Sequence, residues 1–157
     1  MLRFVSYDIV FQEIPGEVTL AVNISGCPNH CAGCHSPHLW DNTGERLDDD
    51  AVAALLGKYG SSVTCFCFMG GDAEPGEVAR LASLVRTQTS GRLKIGWYSG
   101  KSALPDGFGL RDFDYIKLGP YITALGGLDC ETTNQRFYKV QNGSLTDITP
   151  VFKKSKG

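Results

Sequence analysis

With 157 residues, 42% of them hydrophobic and 20% charged, the chain has the size and composition of one domain that buries its own core. A net charge of −2 leaves no broad basic surface for nucleic acid. No apolar run approaches the roughly 18 residues of a membrane span, and no charged-then-apolar export signal opens the sequence, so a cytoplasmic protein off the membrane is expected. No repeat or low-complexity tract interrupts it; residues 1–157 are read as a single domain with a disordered polar tail at about 153–157.

The first element read in chain order is a buried strand, VTLAVNIS (residues 18–25), an apolar run rich in β-branched residues. A loop crowded with cysteine and histidine follows. In LDDDAVAALLGKYG (residues 47–60), Asp48 to Asp50 suit a helix start, Val52, Leu55, Leu56 and Tyr59 form an apolar face, and Gly60 suits the end. A second strand, SVTCFCFM (residues 62–69), runs into the glycine turn of GGDAEP. Pro75 then opens a second helix whose Val78, Leu81 and Val85 recur at helical spacing, with Gly91 just past its end. LKIGWYS (93–99) and DYIKLG (114–119) are two more strands, and residues 100–112 between them hold too much Gly and Pro for more than a short helix.

Strands alternating with helices predict an α/β fold with mostly parallel strands joined by right-handed crossovers. Ligands in such folds gather beyond the C-terminal ends of the strands. The cysteine loop and the GGDAEP turn both leave from that end.

The segment ISGCPNHCAGCHSPHLW (residues 24–40) holds Cys27, Cys31 and Cys34 and all three histidines, His30, His35 and His38. In a reducing compartment, clustered cysteines point to a metal before a disulfide. The C-x3-C-x2-C spacing in one Gly/Pro-broken loop suits a 4Fe-4S cluster with one iron open to another ligand. The spacing also admits a Cys3His zinc site or uncoordinated thiols. Cys65 and Cys67 share one strand face and read as small buried hydrophobes, while Cys130, in a polar loop, is left outside the site.

CPNHCAGCH resembles the cluster loop of the radical S-adenosylmethionine (SAM) enzymes, and GGDAEP is similar to their Gly-Gly-Glu-Pro or Gly-Gly-Asp-Pro segment. DYIKLGPY and TTNQRFYKV resemble later segments of the small members that activate the anaerobic ribonucleoside-triphosphate reductase. This resemblance implies a truncated, incomplete (β/α) barrel. It assigns the cluster to Cys27, Cys31 and Cys34, and places Gly33, Cys34 and His35 beside SAM. Gly70 and Gly71 would offer carbonyls to the SAM ammonium. Asp72 would face the ligand in preference to Glu74, because it directly follows the glycines; the two acids bracket Ala73, a departure from the family pattern. Ser99, Lys117 and Asn134 would supply further polar contacts, and Arg136 is a candidate for facing a protein partner.

The activity implied by the resemblance is reductive cleavage of SAM, with an electron donor such as flavodoxin or ferredoxin, to generate a glycyl radical. Its target would be the large catalytic subunit of the reductase, docked along GPYITALGG and TTNQRFYKV. A glycyl-radical enzyme of the formate-lyase kind is the runner-up target. The rivals from other classes are a small iron–sulfur electron carrier and a zinc-binding interaction domain.

Overall fold

The structure, a computed structural model, describes residues 2–11, 14, 16–25, 44–120, 125, 128 and 133–149. In chain order its elements are β1 (Arg3–Val10), β2 (Thr19–Ile24), β3 (Glu45–Arg46), α1 (Asp49–Tyr59), β4 (Cys65–Met69), α2 (Pro75–Gln88), β5 (Lys94–Tyr98), β6 (Tyr115–Leu118), β7 (Arg136–Gln141) and β8 (Ser144–Asp147). The strands form one eight-stranded sheet in the order β3-β1-β2-β4-β5-β6-β7-β8.

This architecture corrects the expected (β/α) barrel. The four strands read from the sequence do form a parallel block, β2-β4-β5-β6. Antiparallel strands flank it on both sides, β1 and β3 at one and β7 and β8 at the other, so the sheet is mixed. The physical reason lies in the connections. A parallel neighbour requires a crossover that carries the chain back to its starting end. Instead Val10, the last residue of β1, pairs antiparallel with Thr19, the first of β2, and Arg136 begins β7 opposite Leu118, where β6 has just ended. Among the described residues only two helices cover the sheet, too few for a barrel's outer ring.

Both helices form where the sequence reading puts them. The Asp48 carboxylate caps α1 by accepting from the Ala51 N–H at 2.9 Å, and Asp49 and Asp50 complement the helix dipole. Val52 and Leu55 of α1, with Val78, Leu81, Ala82 and Val85 of α2, pack on Leu20, Val22, Phe66, Phe68, Ile95, Trp97 and Ile116 of the parallel strands. Each fully buried side chain of this size contributes about 1.5–3 kcal/mol, which makes this face the main core. On the opposite face a smaller cluster joins Ile14, Cys65, Cys67, Tyr115 and Phe137. Strand alternation thus separates the two cysteines from Phe66 and Phe68, as expected, and both are buried free thiols. The polar tail at 153–157 lies outside the described residues.

Candidate functional site

The parallel register aligns Asn23, Met69, Tyr98 and Lys117 in one row across β2, β4, β5 and β6. The strands therefore end along a single edge, and the segments that follow them converge there. Cys27, Cys31 and Cys34, together with Gly33, His35 and Cys130, lie outside the described residues, but the two ends of the cysteine segment are placed. Its start, Ser25, donates to the Arg3 carbonyl through its backbone N–H at 2.9 Å and its hydroxyl at 3.3 Å. Its return, Gly44, accepts at its carbonyl from Arg3 Nη1 at 3.0 Å. One residue of β1 thus ties down both ends of residues 26–43. Gly44 has φ +95° and packs so closely on the Phe4 carbonyl that a Cβ would not fit.

Gly70 and Gly71 follow β4 with φ +110° and +93°, a backbone that suits glycine alone among common residues. A Cβ on Gly70 would lie 3.2 Å from the carbonyl oxygen of Ile24, the last residue of β2, so this turn packs directly against the strand end that leads into the cysteines. The Gly70 N–H donates to the Tyr98 carbonyl at 3.0 Å, and the Gly70 carbonyl accepts from the Trp97 indole N–H at 2.7 Å. The Gly71 carbonyl accepts the Glu74 N–H at 3.0 Å. Each carbonyl keeps a second lone pair for a ligand.

The carboxylate of Asp72 ties this turn to the next strand end, accepting from the Ser99 hydroxyl at 2.5 Å and from the Gly100 N–H at 2.8 Å. Ser99 in turn donates its N–H to the Lys117 carbonyl at 2.9 Å, and Lys117 Nζ donates back to the Ser99 carbonyl at 3.1 Å and to the Gly119 carbonyl at 2.8 Å. Beside Gly119, Asn134 donates through Nδ2 to the Pro120 carbonyl at 3.0 Å, while its Oδ1 is buried with no hydrogen-bond partner among the described residues. Asp72, Ser99, Lys117 and Asn134 therefore form one connected series along the edge. Glu74 occupies the cap position of α2, and the exposed Arg136 pairs with Asp147 at 3.7 Å. On the helix side a pocket of about 400 Å³ opens between Asp72, Pro75, Trp97, Ser99, Leu104 and Pro105.

Sequence reasoning missed Trp97 and Arg3. Both act through bonds to the backbone of residues remote in the chain, which the strand pairing alone brings near. At the opposite edge the buried Glu17 carboxylate accepts from Thr64 Oγ1 at 2.7 Å, Lys94 Nζ at 2.9 Å and the Tyr115 hydroxyl at 2.9 Å. Burial works to raise its pKa, but these donors outweigh it and hold the carboxyl below its ordinary value. Burial, followed by the Glu17 charge, pushes the Cys65 thiol up to about 12, so neither residue is poised for chemistry.

Among the described residues no group of His, Cys, Asp or Glu is arranged to hold a metal, and no helix is long and apolar enough to cross a membrane. No curated protein and no solved structure matches the chain. Residues 15–103, more than half of it, match the family described as 4Fe-4S single cluster domain, a span that includes the cysteine segment, the Gly70–Gly71 turn and Ser99. The chain belongs to the 4Fe-4S single cluster domain family and is an iron–sulfur protein.

Proposed function

We propose that this iron–sulfur protein is a cytoplasmic radical SAM activase, with Cys27, Cys31 and Cys34 holding the cluster. The observation that carries this reading is the contact of the Gly70–Gly71 turn with Ile24, which sets a ligand-accepting backbone beside the start of the three-cysteine segment. A single cluster with three cysteines leaves one iron for SAM, and the neighbouring groups suit that ligand. Among the described residues Asn134 Oδ1 is a buried acceptor without a donor, Lys117 is buried, and the glycine turn itself carries no Cβ. Held by Cys27, Cys31 and Cys34, a reduced cluster would supply the single electron for reductive cleavage of the C5′–S bond of SAM.

The chain's own residues hold and shield: Asp72 and Ser99 fix the spacing between neighbouring strand ends, and Lys117 closes the edge beside them. The target in this reading is a backbone glycine of the large subunit of an anaerobic ribonucleoside-triphosphate reductase, with flavodoxin or ferredoxin as electron donor. Its support is the resemblance of DYIKLGPY and TTNQRFYKV, which lie side by side as β6 and β7. The family match by itself favours a second reading, a small iron–sulfur electron carrier.

The test is anaerobic reconstitution with iron and sulfide, then incubation with SAM, a strong reductant and the reductase subunit. Formation of 5′-deoxyadenosine and a glycyl radical seen by electron paramagnetic resonance supports the activase. A reducible cluster that leaves SAM intact supports the electron carrier and overturns the proposal.

A further inference from the structure

We infer that Trp97 is a positioning residue whose indole N–H sets the conformation of the Gly70–Gly71 turn, and through it the affinity for SAM; this rests on the function proposed above. Two consecutive glycines have no side chains to choose among their many backbone states, so a turn built from them needs an outside constraint. The structure supplies it from β5. Tyr98 takes the Gly70 N–H through its carbonyl, and Trp97 gives its Nε1–H to the Gly70 carbonyl at 2.7 Å, so one peptide unit is held on each side of Gly70. The indole is 1% exposed, and its plane is set by stacking on Phe108 at 5.0 Å between centroids and by contact with Phe113 at 6.2 Å.

A residue kept only to fill the core needs none of this. Phenylalanine would occupy much of the same space and keep the stack, so core filling explains the ring and leaves the N–H unexplained. A buried indole N–H must find an acceptor. The acceptor here is the carbonyl of Gly70, in the turn that packs on Ile24 at the proposed cofactor edge.

The experiment compares the wild type with Trp97→Phe and with a variant carrying 3-benzothienylalanine at position 97, which keeps the bicyclic shape and lacks the N–H. Iron content, urea midpoint, amide exchange at residues 70–72 in the cluster-free protein, and SAM affinity by anaerobic equilibrium binding are measured for each. For the isosteric variant the expected result is unchanged iron, a urea midpoint lowered by no more than the loss of one buried hydrogen bond, faster exchange at Gly70, whose N–H is bonded to the Tyr98 carbonyl, and a Kd for SAM raised by about 3–10-fold, the worth of one neutral hydrogen bond. With cleavage assayed, the loss should fall on KM and leave kcat close to wild type. A wild type that binds SAM while the isosteric variant binds it equally, with unchanged exchange, overturns the positioning role alone. A wild type that binds no SAM overturns the function proposed above, and the inference with it.

Discussion

Gly71→Ala is the substitution whose cost the structure defines most closely. At φ +93° an alanine is strained by about 1–3 kcal/mol, and its Cβ would lie 2.6 Å from Val78 Cγ2, a contact that must open. Val78 is fully buried in α2 and stiff about χ1, so relief requires movement of the helix start, an overpacking cost of about 1–3 kcal/mol more. The two together predict a loss of about 2–6 kcal/mol. Val78→Ala alone should cost about 1–3 kcal/mol by leaving a cavity, but in the double variant the added methyl and the vacated space offset one another. Urea denaturation of the four proteins gives the coupling directly, and it should be at least about 1 kcal/mol in the favourable direction. Additivity within about 0.5 kcal/mol would refute the contact, and a single-variant loss below that figure would refute the strained turn as well.

Replacing Cys27, Cys31 or Cys34 by alanine should abolish cluster loading, measured as bound iron, whereas Cys65→Ala should load normally and lose about 1 kcal/mol of stability. Glu17→Gln should cost about 1–2 kcal/mol at neutral pH, the half-exposed Lys94 counting for little. Because the folded carboxyl titrates below its unfolded value of about 4.3, the wild type's advantage is complete above that pH. Urea midpoints should therefore show the gap closing as pH falls through the folded value, and a gap that widens in acid would contradict the network. With its pKa near 12, the Cys65 thiol should react with iodoacetamide at pH 7 only through opening of the sheet, so peptide mapping should find it unlabelled until urea is added.

The parallel block was legible because its strands are short apolar runs and its helices carry a capping aspartate and an N-terminal proline. The flanking strands were harder to read. In β1 the register shifts between Phe4 and Ser6, which breaks the period-2 pattern that would announce a half-buried strand. The β7–β8 hairpin did carry a signal, Asn142-Gly143, whose φ values of +52° and +75° suit a two-residue turn; it went unread, and with it the antiparallel edge that rules out the barrel. At the site, the cysteine spacing and the paired glycines were visible as local motifs. The link from Asp72 to Ser99 was not, because it depends on the register that pairs Met69 with Tyr98. Nothing in the sequence singles out Glu17, since its three donors come from residues 64, 94 and 115.

The hold of Arg3 on both Ser25 and Gly44 also decides how the protein is best handled. Leu2, immediately before it, is buried and accepts the Leu47 N–H at its carbonyl at 2.9 Å, so anything fused ahead of this point emerges against the anchor of the cysteine segment. An affinity tag at the amino end would press on the three bonds that set the take-off and return of that segment. For protein that is to take up iron, those bonds are what any addition at the amino end must leave undisturbed.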